Sequence, residues 1–273
     1  MGNEDGPTVI RYYENGNKKE ECWYRNGQLH REGGPARIRY YRNGQIEIIE
    51  WYAEGKLHNY HYDPAVVEYE PDGTIRYRCY CTEGKIIRES IYMRTNPKSD
   101  WKIRVDKRYY RDGHLYMEEW YLVKFRQNQE EITVPHRDNG PALIKYLNGK
   151  KWSEIWYKDG KIHRDGHPAV IEYYSDGEIK TEAWYKDGEL HRKDGPAVVE
   201  YYRNGQKYIE EWYVNGKRHR ENGPALIKYN QDGGEIKAEY YINNKEVTEK
   251  DLSVYQKIKE QLDKGKGTKK ILL

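Results

Sequence analysis

Trp184-Tyr185-Lys186-Asp187-Gly188-Glu189-Leu190-His191-Arg192-Lys193-Asp194-Gly195-Pro196-Ala197 returns 28 residues later as Trp212-Tyr213-Val214-Asn215-Gly216-Lys217-Arg218-His219-Arg220-Glu221-Asn222-Gly223-Pro224-Ala225, and an earlier version runs from Trp23 to Ala36. Prolines at Pro7, Pro35, Pro64, Pro141, Pro168, Pro196 and Pro224 hold the register. The long gap between Pro64 and Pro141 conceals one altered copy, visible as Tyr109-Tyr110-Arg111-Asp112-Gly113 and Glu119-Trp120-Tyr121. A fixed period of this size marks a supersecondary unit that buries its apolar face against copies of itself. The register implies about eight copies.

Each copy reads as a β-hairpin. Ala169-Val170-Ile171-Glu172-Tyr173 alternates, and the same triplet recurs as Ala36/Ile38/Tyr40, Ala142/Ile144/Tyr146, Ala197/Val199/Tyr201 and Ala225/Ile227/Tyr229. Period-2 alternation places these residues on one strand face, the expected core, and leaves Arg37/Arg39 and Glu200 on a wet face. Asn-Gly or Asp-Gly follows, at Asn15-Gly16, Asn43-Gly44, Asp72-Gly73, Asp112-Gly113, Asn148-Gly149, Asp176-Gly177, Asn204-Gly205 and Asp232-Gly233. Such dipeptides predict tight type I′ turns, because Asn, Asp and Gly tolerate positive φ. A second turn follows the aromatic pair, as at Asn26-Gly27 and Asp187-Gly188, and a Gly-Pro corner breaks pairing before the next copy.

The composition fits thin stacked strands. There are 29 Tyr and 8 Trp but one Phe, with 34% charged residues. Amphipathic aromatics can form ladders between copies while their polar edges reach water or backbone. A net charge of +3 from 48 basic and 45 acidic residues argues against a nucleic-acid surface, so no nucleic-acid specificity is expected. No apolar run approaches the ~20 residues that span a bilayer, and no secretion signal is visible, so a soluble cytoplasmic protein is expected.

Cys22, Cys79 and Cys81 are too few for a disulfide framework. The 28-residue step from Trp23 through Trp51 lands on Cys79, which reads as a replaced ladder tryptophan. No metal or other cofactor site is expected. Six of nine histidines occupy one repeat slot, namely His30, His58, His136, His163, His191 and His219. Arginine follows five of them, as Arg31, Arg137, Arg164, Arg192 and Arg220, with Asn59 the exception. Catalysis needs one asymmetric constellation, and this row is translationally repeated, so no catalytic residues and no enzyme activity are expected. As a structural device, each His-Arg pair would bond the next turn or an acidic neighbour such as Glu182 or Glu210. As a functional one, His30, Arg31, His136, Arg137, His163, Arg164, His191, Arg192, His219 and Arg220 are the candidate partner- or anion-binding residues.

Insertions near 90–106 and 122–134 interrupt the array, which is irregular over about 88–135. Irregular loops on a rigid frame concentrate binding, making Tyr92, Arg94, Phe125 and Arg126 candidate interaction residues. After residue 246 the pattern changes: Thr248 as N-cap, Glu249 and Asp251 in the first turn, and Leu252, Tyr255, Ile258, Lys259 and Leu262 on one face predict a helix over 247–263 that caps the sheet edge. The basic, glycine-punctuated stretch 264–273 is expected to be a flexible tail.

The motif Trp-Tyr-x-Asn-Gly-x-x-His-Arg-x-x-Gly-Pro-Ala resembles a variant of the MORN (membrane occupation and recognition nexus) repeat, over roughly residues 6–245. The copies are about 28 residues long rather than some 23, with Arg after His where the common form often has Gly. The resemblance implies an all-β, elongated repeat solenoid of hairpins with a C-terminal capping helix. Proteins of this variant type abound in giant DNA viruses of amoebae, and related ones in bacteria carry an antitoxin label. It implies a non-catalytic scaffold for a protein partner, with homo-oligomerisation, anionic-lipid or phosphoinositide association through the His-Arg row, and an antitoxin or immunity role as alternatives.

Overall fold

A computed structural model describes residues 6–59, 63–94, 101–125 and 131–269. The fold is all-β with one C-terminal helix, and it divides into two compact units, residues 1–136 with 145–149 and residues 137–144 with 150–273.

In the first unit, strands Val9–Tyr12, Lys18–Cys22, Arg37–Tyr40, Ile46–Glu50, Val66–Tyr69 and Ile75–Thr82 pair antiparallel, each with the next. In the second, Lys150–Ile155, Val170–Tyr173, Ile179–Ala183, Val198–Tyr201, Lys207–Glu211, Leu226–Tyr229 and Glu235–Ile242 do the same. After the second strand of each regular copy the chain leaves the sheet at tryptophan and forms a two-residue hairpin, such as Tyr52–Ala53 with Lys56–Leu57 or Tyr185–Lys186 with Glu189–Leu190.

The two turns differ, and not as the dipeptides suggest. At the first, only glycine has positive φ (Gly16 +84°, Gly44 +87°, Gly205 +79°), while Asn15, Asn43 and Asn204 do not. Gly16 N–H donates to the Tyr13 carbonyl at 3.0 Å, Tyr13 N–H donates to that of Asn17 at 2.8 Å, and the ladder slips between Arg11 and Tyr12. This is a type I turn closed by a glycine bulge, in place of the expected type I′ turn. Asn or Asp is selected here for another reason: its side-chain oxygen accepts the N–H two residues on, as Asn43 does from Gln45 at 3.0 Å and Asp72 from Thr74 at 2.9 Å. The exception is Asn148-Gly149 (φ +51° and +75°), where the copy is one residue shorter and the turn is type I′. The small hairpins carry type I′ turns throughout, with Asn26, Glu54, Asp159, Asp187 and Asn215 all near φ +50°, and Glu83, between the longer strands Ile75–Thr82 and Lys85–Arg94, has φ +52°.

The repeated alanines are the most deeply buried core positions of each unit: Ala36 and Ala65 in the first, and Ala169, Ala197 and Ala225 in the second, are fully buried. The face expected to be wet is in fact part-covered. Leu57 of a small hairpin packs with Ile48, Val66, Cys79 and Cys81, and Arg37 lies between Glu20 (2.7 Å) and Glu50 (3.4 Å). Long Arg and Glu stems shield apolar surface while their heads pair.

The central insertions do not form irregular loops where described. They lengthen strands, giving Lys85–Arg94, Trp101–Tyr109, Leu115–Phe125 and Glu131–Pro135 in one antiparallel run. Strand Ile75–Thr82 continues straight where regular copies turn off the sheet.

The helix runs Glu249–Lys269, beyond the expected end at 263 and into the stretch expected to be flexible. Thr248 Oγ1 accepts from Asp251 N–H at 3.1 Å and Thr248 N–H donates back to Asp251 Oδ2 at 3.1 Å, a reciprocal cap. Leu252 is buried and Tyr255, Gln256 and Lys259 are half-buried, whereas Ile258 and Leu262, expected on that face, are exposed. Docking is polar: Gln256 donates to the Glu221 carbonyl and Lys259 pairs with the Glu221 carboxylate, and that ion pair holds the carboxyl below its usual range.

Candidate functional site

The His-Arg row begins with the small hairpins. His30, His163, His191 and His219 each close one by donating their backbone N–H to the carbonyl of Trp23, Trp156, Trp184 and Trp212 at 3.0–3.1 Å. His136 N–H donates to the Trp120 carbonyl at 3.1 Å, at the end of the longer strand pair Leu115–Phe125 and Glu131–Pro135. The ring then reaches the next copy. Nδ1 of His30, His163, His191 and His219 accepts from the backbone N–H of Glu54 (3.1 Å), Asp187 (3.1 Å), Asn215 (3.3 Å) and Asn243 (3.2 Å) respectively. The acceptors sit opposite the left-handed residues of the type I′ turns, whose N–H groups would otherwise lack a protein partner.

Each arginine is held in its own copy. The guanidinium carbons of Arg31, Arg164, Arg192 and Arg220 stack 3.8–4.1 Å from the ring centres of Trp23, Trp156, Trp184 and Trp212. Such stacks contribute about 0.5–2 kcal/mol. Nη1 donates to the carbonyl of the repeat proline at 3.4 Å for Arg31, 3.2 Å for Arg137, Arg164 and Arg192, and 3.0 Å for Arg220. A β-carbon on Gly34, Gly140 or Gly195 would lie 3.0 Å from that guanidinium, so glycine gives it room in those copies, whereas the copy of Arg164 accommodates His167 before Pro168. Asn59 replaces arginine by donating Nδ2 to the Pro64 carbonyl at 3.2 Å. Burial pushes Arg164 and Arg220 below the ordinary arginine value.

A second row was not singled out from the sequence. Tyr173, Tyr201 and Tyr229 donate their hydroxyls to Glu154, Glu182 and Glu210 at 2.7, 2.8 and 2.7 Å, and Tyr40 to Glu21. Glu182 and Glu210 therefore accept their hydrogen bonds from tyrosine, while the charge of Glu210 still acts on Arg220. Lys18 and Lys151 pair with Glu21 and Glu154 three residues on, at 2.7 and 2.6 Å. Burial works to raise the Glu21 carboxyl, but hydrogen bonds from Lys18 and Tyr40 outweigh it and leave the group below its usual range. Burial, then the bond to glutamate, pushes Tyr40, Tyr173, Tyr201 and Tyr229 well above the ordinary phenol value. The following tyrosine stitches turns together: Tyr13, Tyr41, Tyr174 and Tyr202 donate to the carbonyls of Tyr40, Tyr69, Tyr201 and Tyr229 at 2.6–2.9 Å. A Tyr-Tyr pair beside an alternate Glu 19 residues upstream is the sequence signal for both.

Successive His-Arg loops leave repeated clefts. One of about 360 Å³ lies among Arg164, Trp184, Lys186, His191 and Arg192, and an equivalent of about 390 Å³ among Arg31, Trp51, Tyr52, His58 and Asn59. Asp165 and Asp194 also line the first, so its charge is mixed.

Of the central candidates, Tyr92 is buried in a strand, its hydroxyl 3.0 Å from Arg78 Nη1. Arg94 is exposed and paired with Asp72. The Phe125 side chain and Arg126 lie outside the described residues. At the same centre, Asp106, fully buried, meets Arg88 at 2.8 Å and Arg104 at 3.2 Å. Cys79 does not occupy a tryptophan slot. Ala65 N–H donates to the Cys79 carbonyl as Ala36 N–H donates to Glu50, so Cys79 matches Glu50 and Tyr80 takes the tryptophan position. The one-residue-longer spacing before Pro64 caused the slip. Among the described residues no group of three His, Cys, Asp or Glu is placed to hold a metal ion, and no helix is long and apolar enough to cross a membrane.

No protein-family model matches the chain, and no curated protein matches its sequence.

Proposed function

We propose that this chain is a non-catalytic repeat scaffold that binds another protein, as its resemblance to the variant MORN repeat implies. One observation carries the reading: in copy after copy, the groups with chemical potential are engaged in contacts within their own copy or with the next one. His191 serves the Asn215 turn, Arg192 lies on Trp184, and Glu182 binds Tyr201. What each copy offers outward is its variable positions, among them exposed Trp152, Ile179 and Ile236. Repeat arrays use such modular surfaces for partners.

The test is affinity capture with the full chain in cells that express it, followed by calorimetric titration with the purified candidate. Saturable binding to one protein, weakened by Trp152→Ala or Ile179→Glu without loss of fold, supports the scaffold. Co-sedimentation with phosphoinositide vesicles and no protein partner would replace it with the lipid reading. Rescue of growth from a co-expressed toxin would point to the antitoxin role.

A further inference from the structure

Strand Ile75–Thr82 holds a thiol pair within the buried cluster of Ile48, Ala65 and Val66. Cys79 and Cys81 are both buried, their sulfur atoms 3.0 Å apart. Alternate residues of a flat strand sit about 6.6 Å apart along its axis, near the upper limit of ~6.8 Å between Cα atoms that a disulfide spans. Here the ladder slips between Tyr80 and Cys81, where Ile87 is the extra residue on the partner strand, and the two sulfur atoms on one face lie well within that reach. Cys81 also lines a cleft of about 200 Å³ shared with His58, Asn59, Asp63, Tyr80 and Thr82, large enough for a molecule the size of hydrogen peroxide. The cleft ends at Cys81, and Cys79 lies directly behind it, sulfur to sulfur.

We infer that Cys79 and Cys81 form a redox-active dithiol, a modification site that small peroxides entering this cleft convert to an intramolecular disulfide. The Cys79 thiolate attacks one peroxide oxygen; a sulfur–oxygen bond forms, the oxygen–oxygen bond breaks, and hydroxide leaves, taking a proton to become water. The Cys81 sulfur then attacks the Cys79 sulfenic sulfur, forming the sulfur–sulfur bond and expelling a second hydroxide that leaves as water with the Cys81 proton. Two thiols lose two electrons and two protons, and one hydrogen peroxide becomes two waters. Polarisation of the pair supports the order of attack: the hydrogen bond from Cys81 lowers the Cys79 thiol, while that same bond and burial raise Cys81. The nucleophile is the thiolate.

The experiment treats the folded full chain with hydrogen peroxide, unfolds it, alkylates free thiols and reads the tryptic peptide Cys79–Lys85 by mass spectrometry. Two of the three thiols should be lost, with that peptide two hydrogens lighter and restored by dithiothreitol, while Cys22 stays alkylatable. Cys81→Ser should abolish the disulfide and leave a Cys79 sulfenic acid that dimedone traps. Cys22→Ser should change nothing. Both thiols still alkylatable after oxidation, a sulfinic product in the unmutated chain, or a crosslink through Cys22 would each overturn the inference.

Discussion

Replacing Tyr201 by phenylalanine removes one oxygen from the tyrosine–glutamate row and leaves the strand otherwise intact. The hydroxyl donates to Glu182 at 2.8 Å, whereas the Tyr201 carbonyl, which accepts from Tyr174 at 2.6 Å, is unaffected. A hydrogen bond to a charged acceptor contributes about 1.5–3 kcal/mol, and half-burial of the pair moves the expected loss at pH 7 toward the lower end, about 1–2 kcal/mol. The pH dependence gives a second readout. Burial first, and the bond to Glu182 next, raise the folded-state Tyr201 above the ordinary phenol value, so its contribution is full below the unfolded value of about 10 and is lost as pH rises past it. Unmutated protein should lose stability above about pH 10, by at most about 1.4 kcal/mol per pH unit for each such tyrosine. Tyr201→Phe should therefore close its deficit on the alkaline side. Urea unfolding followed by tryptophan fluorescence at pH 7 and at pH 10 to 11 measures both. A variant within about 0.3 kcal/mol of the parent at pH 7, or one whose deficit is unchanged at alkaline pH, would refute the assignment of this bond as a stabilising contact.

Three further outcomes follow from local geometry. Glu83 holds φ +52° in a type I′ turn, so Glu83→Asn should stabilise by about 0.5–1 kcal/mol in chemical denaturation, because asparagine tolerates that region better. Asp106→Asn takes the negative charge from between Arg88 and Arg104 and should cost about 3–5 kcal/mol, visible as a lowered Tm; a cost below about 1 kcal/mol would mean that the arginines find other partners. Thr248→Ala breaks the reciprocal cap and should cost about 1 kcal/mol, read as faster amide exchange in the first helical turn while the strand amides hold their protection.

Much of the fold was legible because alternation and punctuation are local. Ala36, Ile38 and Tyr40 announced a strand, Gly-Pro a corner and Thr248 a helix start, and each is found so. The turn type was not, because Asn-Gly serves both a type I turn with a bulge and a type I′ turn; one residue of spacing separates them, as Asn148-Gly149 shows. A different single residue, the extra one before Pro64, displaces Cys79 by one slot. The histidine partners lie 24 residues away across a copy boundary, so periodicity revealed that the row repeats without revealing what it touches. The central segment misled because an insertion can lengthen paired strands as readily as loop out. Tyr92, expected in a loop, is buried in one of them.

The buried alanines at the heart of each copy have a thermal consequence. Ala36, Ala65, Ala169, Ala197 and Ala225 fill the positions where broader domains place leucine or phenylalanine, and Glu21, Glu154, Glu210 and His30 are buried nearby. Exposing apolar surface raises heat capacity and exposing polar surface lowers it, with a usual net of about 12–15 cal/mol/K per residue. A chain that hides so much polar surface for so little aliphatic surface should fall below that range. Its stability would then change little between cold and warm conditions, set by hydrogen bonds from copy to copy more than by water's aversion to oil.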